Sequence, residues 1–193
     1  MVMNFIRTSI CDVLLLEPNI YCDERGYFLE TFRDDDLEKF LGYKITFCQD
    51  NESKSSKGVL RGFHYQLEPA AQTKLVRVIQ GSVLDVAVDI RKGSPTFGEH
   101  VAVELSGENK RQLLIPRGFA HGFVVLEENT LFAYKVDNYF SPENDRGISF
   151  DDPKLNIDWK LDASRLILSA KDLNQPCLRS ANQLFDYQVD YYA

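Results

Sequence analysis

The chain has 193 residues, 44% of them hydrophobic, which is enough to bury one core and gives no reason to expect two. Its formal net charge is -7, from 22 basic and 29 acidic residues, and no Lys/Arg cluster of the kind that tracks a phosphate backbone is visible, so no nucleic-acid partner is expected. No apolar run reaches membrane-spanning length, and the start Met1-Val2-Met3-Asn4-Phe5-Ile6-Arg7 lacks the cationic opening and apolar centre of a secretion signal, which predicts a soluble cytoplasmic protein with no membrane partner. Cys11, Cys22, Cys48 and Cys177 form no Cys-x-x-Cys pair, offer no zinc or redox motif and read as free thiols.

In chain order, a short helix is predicted from Asp34 to Leu41, with Asp34 or Asp35 as its cap and Leu37, Phe40 and Leu41 as its apolar side. Short strands then follow one another at Lys74 to Gln80, Val83 to Ile90, His100 to Leu105, Gln112 to Ile115, Gly122 to Leu126 and Thr130 to Val136. Turn residues separate them, as at Gly81-Ser82, Gly93-Ser94-Pro95, Gly107-Glu108-Asn109 and Pro116-Arg117-Gly118. Within Val83 to Ile90, the residues Leu84, Val86, Val88 and Ile90 share one face and Asp85 and Asp89 share the other with Val83 and Ala87, the pattern of a half-buried antiparallel strand. Strands spaced this evenly, without intervening helices, predict an all-β sandwich or jelly-roll barrel. Beyond Lys171 a second helical segment is expected, and the aromatic tail Tyr187-Gln188-Val189-Asp190-Tyr191-Tyr192 either covers an edge strand or frays.

Two of the three histidines lie in glycine-bearing apolar segments: His64 in Gly58-Val59-Leu60-Arg61-Gly62-Phe63-His64-Tyr65-Gln66, and His121 in Pro116-Arg117-Gly118-Phe119-Ala120-His121-Gly122-Phe123. An imidazole titrates near neutral pH, and an Arg separated from it by two residues supplies fixed positive charge, so the first segment suggests proton chemistry on an anionic substrate. In an acidic protein such a substrate needs a local group of cations, for which Arg25, Arg61, Lys74 and Lys171 are candidates. His64 is either a base or a core imidazole. His121 is expected at a barrel mouth, where it touches a ligand or supports a residue that does. His100 alternates with Ala102 and Glu104, reads as solvated and is given no function. A His-x-His pair, the usual metal signal of a small barrel, is absent, so no metal is expected. Tyr134 and Tyr139, beside Phe132 and Phe140, read as core and edge aromatics, although a phenol at a barrel mouth can donate a proton and a ring can stack on a base.

Together with Asp23-Glu24-Arg25-Gly26-Tyr27-Phe28, Gln49-Asp50-Asn51, Lys74-Leu75-Val76-Arg77-Val78, Asp85-Val86-Ala87-Val88-Asp89, Tyr134-Lys135 and Ser169-Ala170-Lys171-Asp172, these segments resemble the dTDP-4-dehydrorhamnose 3,5-epimerase family over almost the whole chain. The resemblance implies one cupin-type jelly-roll domain over residues 1–193, a few short peripheral helices, N-terminal strands exchanged between the subunits of a homodimer, and a C-terminal extension. It implies inversion of C3 and C5 of dTDP-4-keto-6-deoxyglucose without cofactor or metal. His64 then corresponds to the base, Asp172 to the carboxylate that orients it, Lys74 to the cation near the carbonyl oxygen and Tyr134 to the acid on the opposite face. Arg25, Phe28, Glu30, Gln49, Asn51, Arg61, His121 and Lys171 fall where the family contacts the nucleotide sugar. The chain departs from the family twice: Tyr139-Phe140 stands where two tyrosines are common near the thymine, and Asp145 where a Glu is usual. The rivals are an epimerase acting at one centre for another deoxysugar, and a sugar-binding or metal-dependent cupin without epimerase activity.

Overall fold

Strands with an apolar face need a second surface to bury it, and this chain provides one by pairing its strands into two antiparallel sheets. The computed structural model describes residues 3–192. The first elements are β1 (Met3–Arg7), β2 (Leu14–Pro18), β3 (Ile20–Asp23), β4 (Gly26–Leu29) and helix α1 (Asp34–Leu41). The body follows with β5 (Gln49–Ser55), β6 (Leu60–Gln66), β7 (Lys74–Gln80), β8 (Ser82–Asp89), β9 (Arg91–Lys92), β10 (His100–Ser106), β11 (Gln112–Ile115), β12 (Phe119–Val125), β13 (Thr130–Val136), β14 (Asp145–Gly147) and β15 (Phe185–Asp186). One sheet runs β1-β2-β11-β7-β13-β5 and the other β10-β8-β12-β6-β14, giving the jelly roll that the strand spacing implied.

Between the sheets lie Val76, Val78 and Phe132 from one side and Val83, Ala87 and Phe123 from the other, with the Phe123 and Phe132 rings stacked at 4.1 Å. The outer face of the six-stranded sheet is covered by α1, whose Leu37 packs with Leu14, Leu16, Leu75 and Leu114. The outer face of the other sheet is roofed by the C-terminal extension through Leu155, Trp159, Leu178 and Phe185. Burying each such side chain contributes about 1.5–3 kcal/mol. This roof corrects the expectation for β8. Its residues are all buried, because Leu84, Val86 and Val88 meet the extension while Val83, Asp85 and Ala87 face the barrel interior.

Three further expectations change. The helix has its predicted bounds, but Arg33 occupies the cap position without a side-chain bond; Asp34, Asp35 and Asp36 sit in the first turn, where the helix dipole favours negative charge. Beyond Lys171 the expected helical segment takes the form of two short 3-10 helices, Asp172–Asn174 and Leu178–Ser180. Strand β12 begins at Phe119, directly after the turn at Gly118, so His121 is buried in mid-strand and does not sit at a mouth. His100 is half-buried, with burial lowering its pKa, while its neighbours Ala102 and Glu104 are exposed as the alternation implied. The aromatic tail is docked: β15 pairs in parallel with β9, and the Tyr187 N–H donates to the Lys92 carbonyl at 3.0 Å.

One close approach sets the position of the histidines. A Cβ on Gly62 would stand 2.5 Å from the Gly122 Cα and 2.7 Å from the His121 carbonyl oxygen, and Gly62 has φ +124. Only glycine satisfies both constraints. With β6 and β12 in this contact, His64 and His121 face each other in register.

Candidate active site

Side chains from both sheets converge on a cavity of about 560 Å³. The five-stranded sheet contributes Arg61 and His64 from β6 and His121 from β12; the six-stranded sheet contributes Asn51 from β5, Lys74 from the start of β7, and Tyr134 from β13. Asn51, His64, Lys74 and Tyr134 also line an adjoining lobe of about 390 Å³, which extends to Gln49, Phe140, Asp145 and Lys171. Tyr134 and Asn51 are register partners across β13 and β5. The imidazoles therefore stand on one wall, and the ammonium and phenol on the other.

His64 Nε2 lies 2.5 Å from Asp172 Oδ1. Ser169 fixes the carboxylate, donating its hydroxyl to Oδ2 at 2.8 Å and accepting the Asp172 backbone N–H at 3.1 Å. Burial works to raise the Asp172 pKa, but the hydrogen bonds from His64 and Ser169 prevail and hold it below the usual carboxylate value. An ionised carboxylate at Nε2 keeps the proton on that nitrogen and leaves Nδ1 with its lone pair. The same device is repeated at His121, whose Nε2 is 3.0 Å from both oxygens of Asp85. Burial lowers the His121 pKa, with Asp85 opposing, and the neutral imidazole lies nearly parallel to the Phe132 ring at 6.3 Å.

On the other wall, desolvation lowers Lys74 to about 8; Asp145 and Asp85 act to raise it and Lys171 to lower it. Burial raises the Tyr134 phenol, with Arg61 opposing, so the hydroxyl keeps its proton near neutral pH. Lys171 pairs with Asp145 at the edge of the lobe. Gln49 donates to the Asn51 side-chain oxygen at 2.8 Å, and Arg61 donates to the Ser55 hydroxyl at 3.2 Å. A cavity lined this way can take a proton from a carbon acid on one side, hold negative charge on an oxygen and return a proton from the other.

The expected site residues do not all meet. Arg25 and Phe28 sit in the β3–β4 hairpin, which forms a small sheet of its own; Arg25 pairs with Asp23, and Phe28 is 69% exposed. Glu30 follows that hairpin and lines neither lobe. Tyr139 points outward, and its carbonyl accepts from Gln66 Nε2 at 3.1 Å, whereas Phe140 lines the lobe. Asp85 and Ser169 were missed as site residues. Asp85 carried a signal, because a carboxylate inside a valine-rich strand must find a buried partner; nothing in the spacing of Ser169 sets it apart.

A family model described as dTDP-4-dehydrorhamnose 3,5-epimerase matches residues 7–180. The chain belongs to the dTDP-4-dehydrorhamnose 3,5-epimerase family. As a member of that family it is an isomerase. It is 56% identical over 172 residues to the dTDP-4-dehydrorhamnose 3,5-epimerase of Shigella flexneri, covering 89% of this chain and 94% of the relative. A family enzyme from Legionella pneumophila, crystallised with dTDP-4-keto-L-rhamnose, superposes with TM-score 0.92 at 51% identity, covering 97% of this chain and 100% of that one. A 3'-monoepimerase from Streptomyces bikiniensis, crystallised with dTDP-quinovose, gives TM-score 0.89 at 33% identity, with 94% and 92% of the two chains covered.

Proposed function

We propose that the enzyme inverts C3 and C5 of dTDP-4-keto-6-deoxyglucose to give dTDP-4-keto-L-rhamnose, with His64 as base, Lys74 as oxyanion partner and Tyr134 as acid. The observation that carries these roles is the His64–Asp172 pair on one wall of the cavity with Lys74 and Tyr134 on the other. The C4 carbonyl acidifies the hydrogens at C3 and C5. His64 Nδ1 takes one of them, and the electron pair of the broken C–H bond moves through the new C–C double bond to the C4 oxygen. Lys74 holds that oxygen as the enolate forms. The Tyr134 hydroxyl then gives its proton to the opposite face of the same carbon, and solvent restores both groups.

His121 lies in register with His64 and is kept neutral, so it can donate or accept a hydrogen bond at the sugar without adding charge. Gln49, Asn51, Arg61, Phe140, Asp145 and Lys171 take the rest of the nucleotide sugar, and Phe140 offers a stacking face without a hydroxyl. Among the described residues no cluster of three or more metal-ligating side chains is present, and the proton steps call on no cofactor. No described helix is long and apolar enough to cross a membrane. The four free thiols suit a reducing cytoplasm, where we place the enzyme.

The working unit is a homodimer. The β3–β4 hairpin leaves Tyr21, Tyr27 and Phe28 between 55% and 69% exposed, and a second copy accepting this hairpin would bring Arg25, Phe28 and Glu30 to its cavity. Tyr139, exposed beside the lobe, stays a candidate for the base-stacking face. Light scattering at micromolar concentration tests the assembly: a fully active monomer would remove the hairpin residues from the site. The reaction itself is tested by incubating the purified protein with dTDP-4-keto-6-deoxyglucose and identifying the product by NMR. A product inverted at one centre only would assign the chain to the single-centre alternative, as in the Streptomyces bikiniensis enzyme.

A further inference from the structure

The docked tail brings Tyr192 against Thr73, the residue just before β7. Lys74 is the first residue of that strand, and its neighbours in the sheet are Ile115 at the end of β11 and Val136 at the end of β13. Three strand ends therefore meet behind the ammonium, a place where sheets fray unless something ties them. Here the tie is dense. Thr73, fully buried, donates its N–H to Asp137 Oδ1 at 2.6 Å, and its carbonyl accepts the Asp137 N–H at 3.3 Å. Arg117 pairs with Asp137 at 3.1 Å and donates to the Tyr191 carbonyl at 2.7 Å. The Tyr192 hydroxyl joins the set, accepting the Arg117 backbone N–H at 3.1 Å and lying 2.7 Å from Thr73 Oγ1. The ring packs against Tyr43 at 4.8 Å and under the Arg117 guanidinium at 5.2 Å.

We propose that Tyr192 is a positioning residue for the reaction: its hydroxyl, bonded to Thr73, holds the start of β7 so that Lys74 stays in place against the C4 oxygen of the substrate. This rests on the role given to Lys74 above. Tyr192 lies beyond residues 7–180, the stretch that the family model matches. It works at one remove, through Thr73, and touches no reacting atom. The charges that act on Lys74 are those of Asp145, Asp85 and Lys171, and His121 lies within reach of its charge. Lys74 is half-buried, and loosening the latch leaves these carboxylates in place while letting the ammonium become more hydrated.

The test compares full-length enzyme with Tyr192→Phe, which keeps the ring and removes the hydroxyl, with Thr73→Val, which removes the other end of the bond, and with the double variant. Lys74→Met serves as the control for the underlying role. Expected for Tyr192→Phe is a kcat lower by about tenfold, a cost in keeping with a small misplacement of a reacting group, with dTDP affinity within about twofold of the parent. In the substrate-free enzyme, the pH of half-labelling of Lys74 by acetic anhydride, read by mass spectrometry, should move upward as the ammonium becomes more hydrated. Thr73→Val should do the same, and the double variant should add little, as for two ends of one bond. A merely structural role would lower the melting temperature and leave the Lys74 titration of the folded enzyme where it was. The proposal is overturned if Lys74→Met is inactive while Tyr192→Phe and Thr73→Val keep kcat within twofold and leave the labelling curve unmoved. If Lys74→Met is itself fully active, the role of Lys74 falls and the latch falls with it.

Discussion

His64 and Asp172 stand 108 positions apart in the chain and meet at 2.5 Å, Nε2 to Oδ1, with Ser169 holding the second carboxylate oxygen. The pair fixes which imidazole nitrogen carries the proton, and so which one is free to act. Asp172→Asn keeps the size but can offer an amide N–H to Nε2, favouring the wrong tautomer. Its kcat is expected to fall about 10²-fold or more, and His64→Asn at least as far, in the range of a lost general base. Calorimetric titration should show dTDP binding largely retained in both. Near-normal turnover in a well-folded His64→Asn would remove the residue from the chemistry.

The state of Lys74 sets a pH limit. Its folded pKa, about 8, is depressed below the ordinary 10.5, so the ammonium proposed to hold the enolate is lost as the pH rises through 8. The profile of kcat/KM, which reports the free enzyme, is expected to decline above that point. The sign for stability is opposite. Between about 8 and 10.5 the unfolded chain binds more protons than the folded one, so this residue's contribution to stability rises with pH there, and its charged form is a cost below 8. Lys74→Met should therefore lose activity and melt no lower than the parent at pH 7 in a calorimetric scan. A lower melting temperature would contradict the assigned burial cost.

Gly62 is expected to be nearly irreplaceable. Alanine there meets the Gly122 Cα and the His121 carbonyl and must hold a φ that L residues avoid. Gly62→Ala should lose about 2 kcal/mol or more, measured by urea unfolding, and lose activity as well, because the same contact sets His64 opposite His121.

Tyr134→Phe separates two events. Removing and returning a proton on one face needs only the base, whereas net inversion also needs the acid on the other wall. The variant should lose product formation by more than it loses exchange of substrate hydrogens with solvent, both followed in one NMR experiment. Equal losses would point to Tyr134 as a binding group.

The barrel was legible in the sequence because its central strands alternate cleanly and are separated by glycine turns; β7, β11 and β13 have the bounds the pattern implied. What the pattern did not carry is the burial of both faces of β8, since the residues that roof it, Trp159, Leu178 and Phe185, lie in a segment without periodicity. The meeting of His64 with Asp172 was available only through family resemblance: no local spacing links two residues from opposite ends of the chain. The Asp85–His121 pair was not legible in the sequence, where Asp85 reads as part of the second face of a half-buried strand. The docking of the tail through Tyr192 and Thr73 came from packing alone.

The central claim is that one base and one enolate oxygen serve two carbon centres. Proton NMR of the purified enzyme with dTDP-4-keto-6-deoxyglucose in heavy water reads it most directly, because each carbon that passes through the enolate takes up deuterium. Deuterium at both C3 and C5, with inversion at both and no exchange in His64→Asn, is the predicted result. Deuterium confined to one centre, or undiminished exchange without His64, would contradict it.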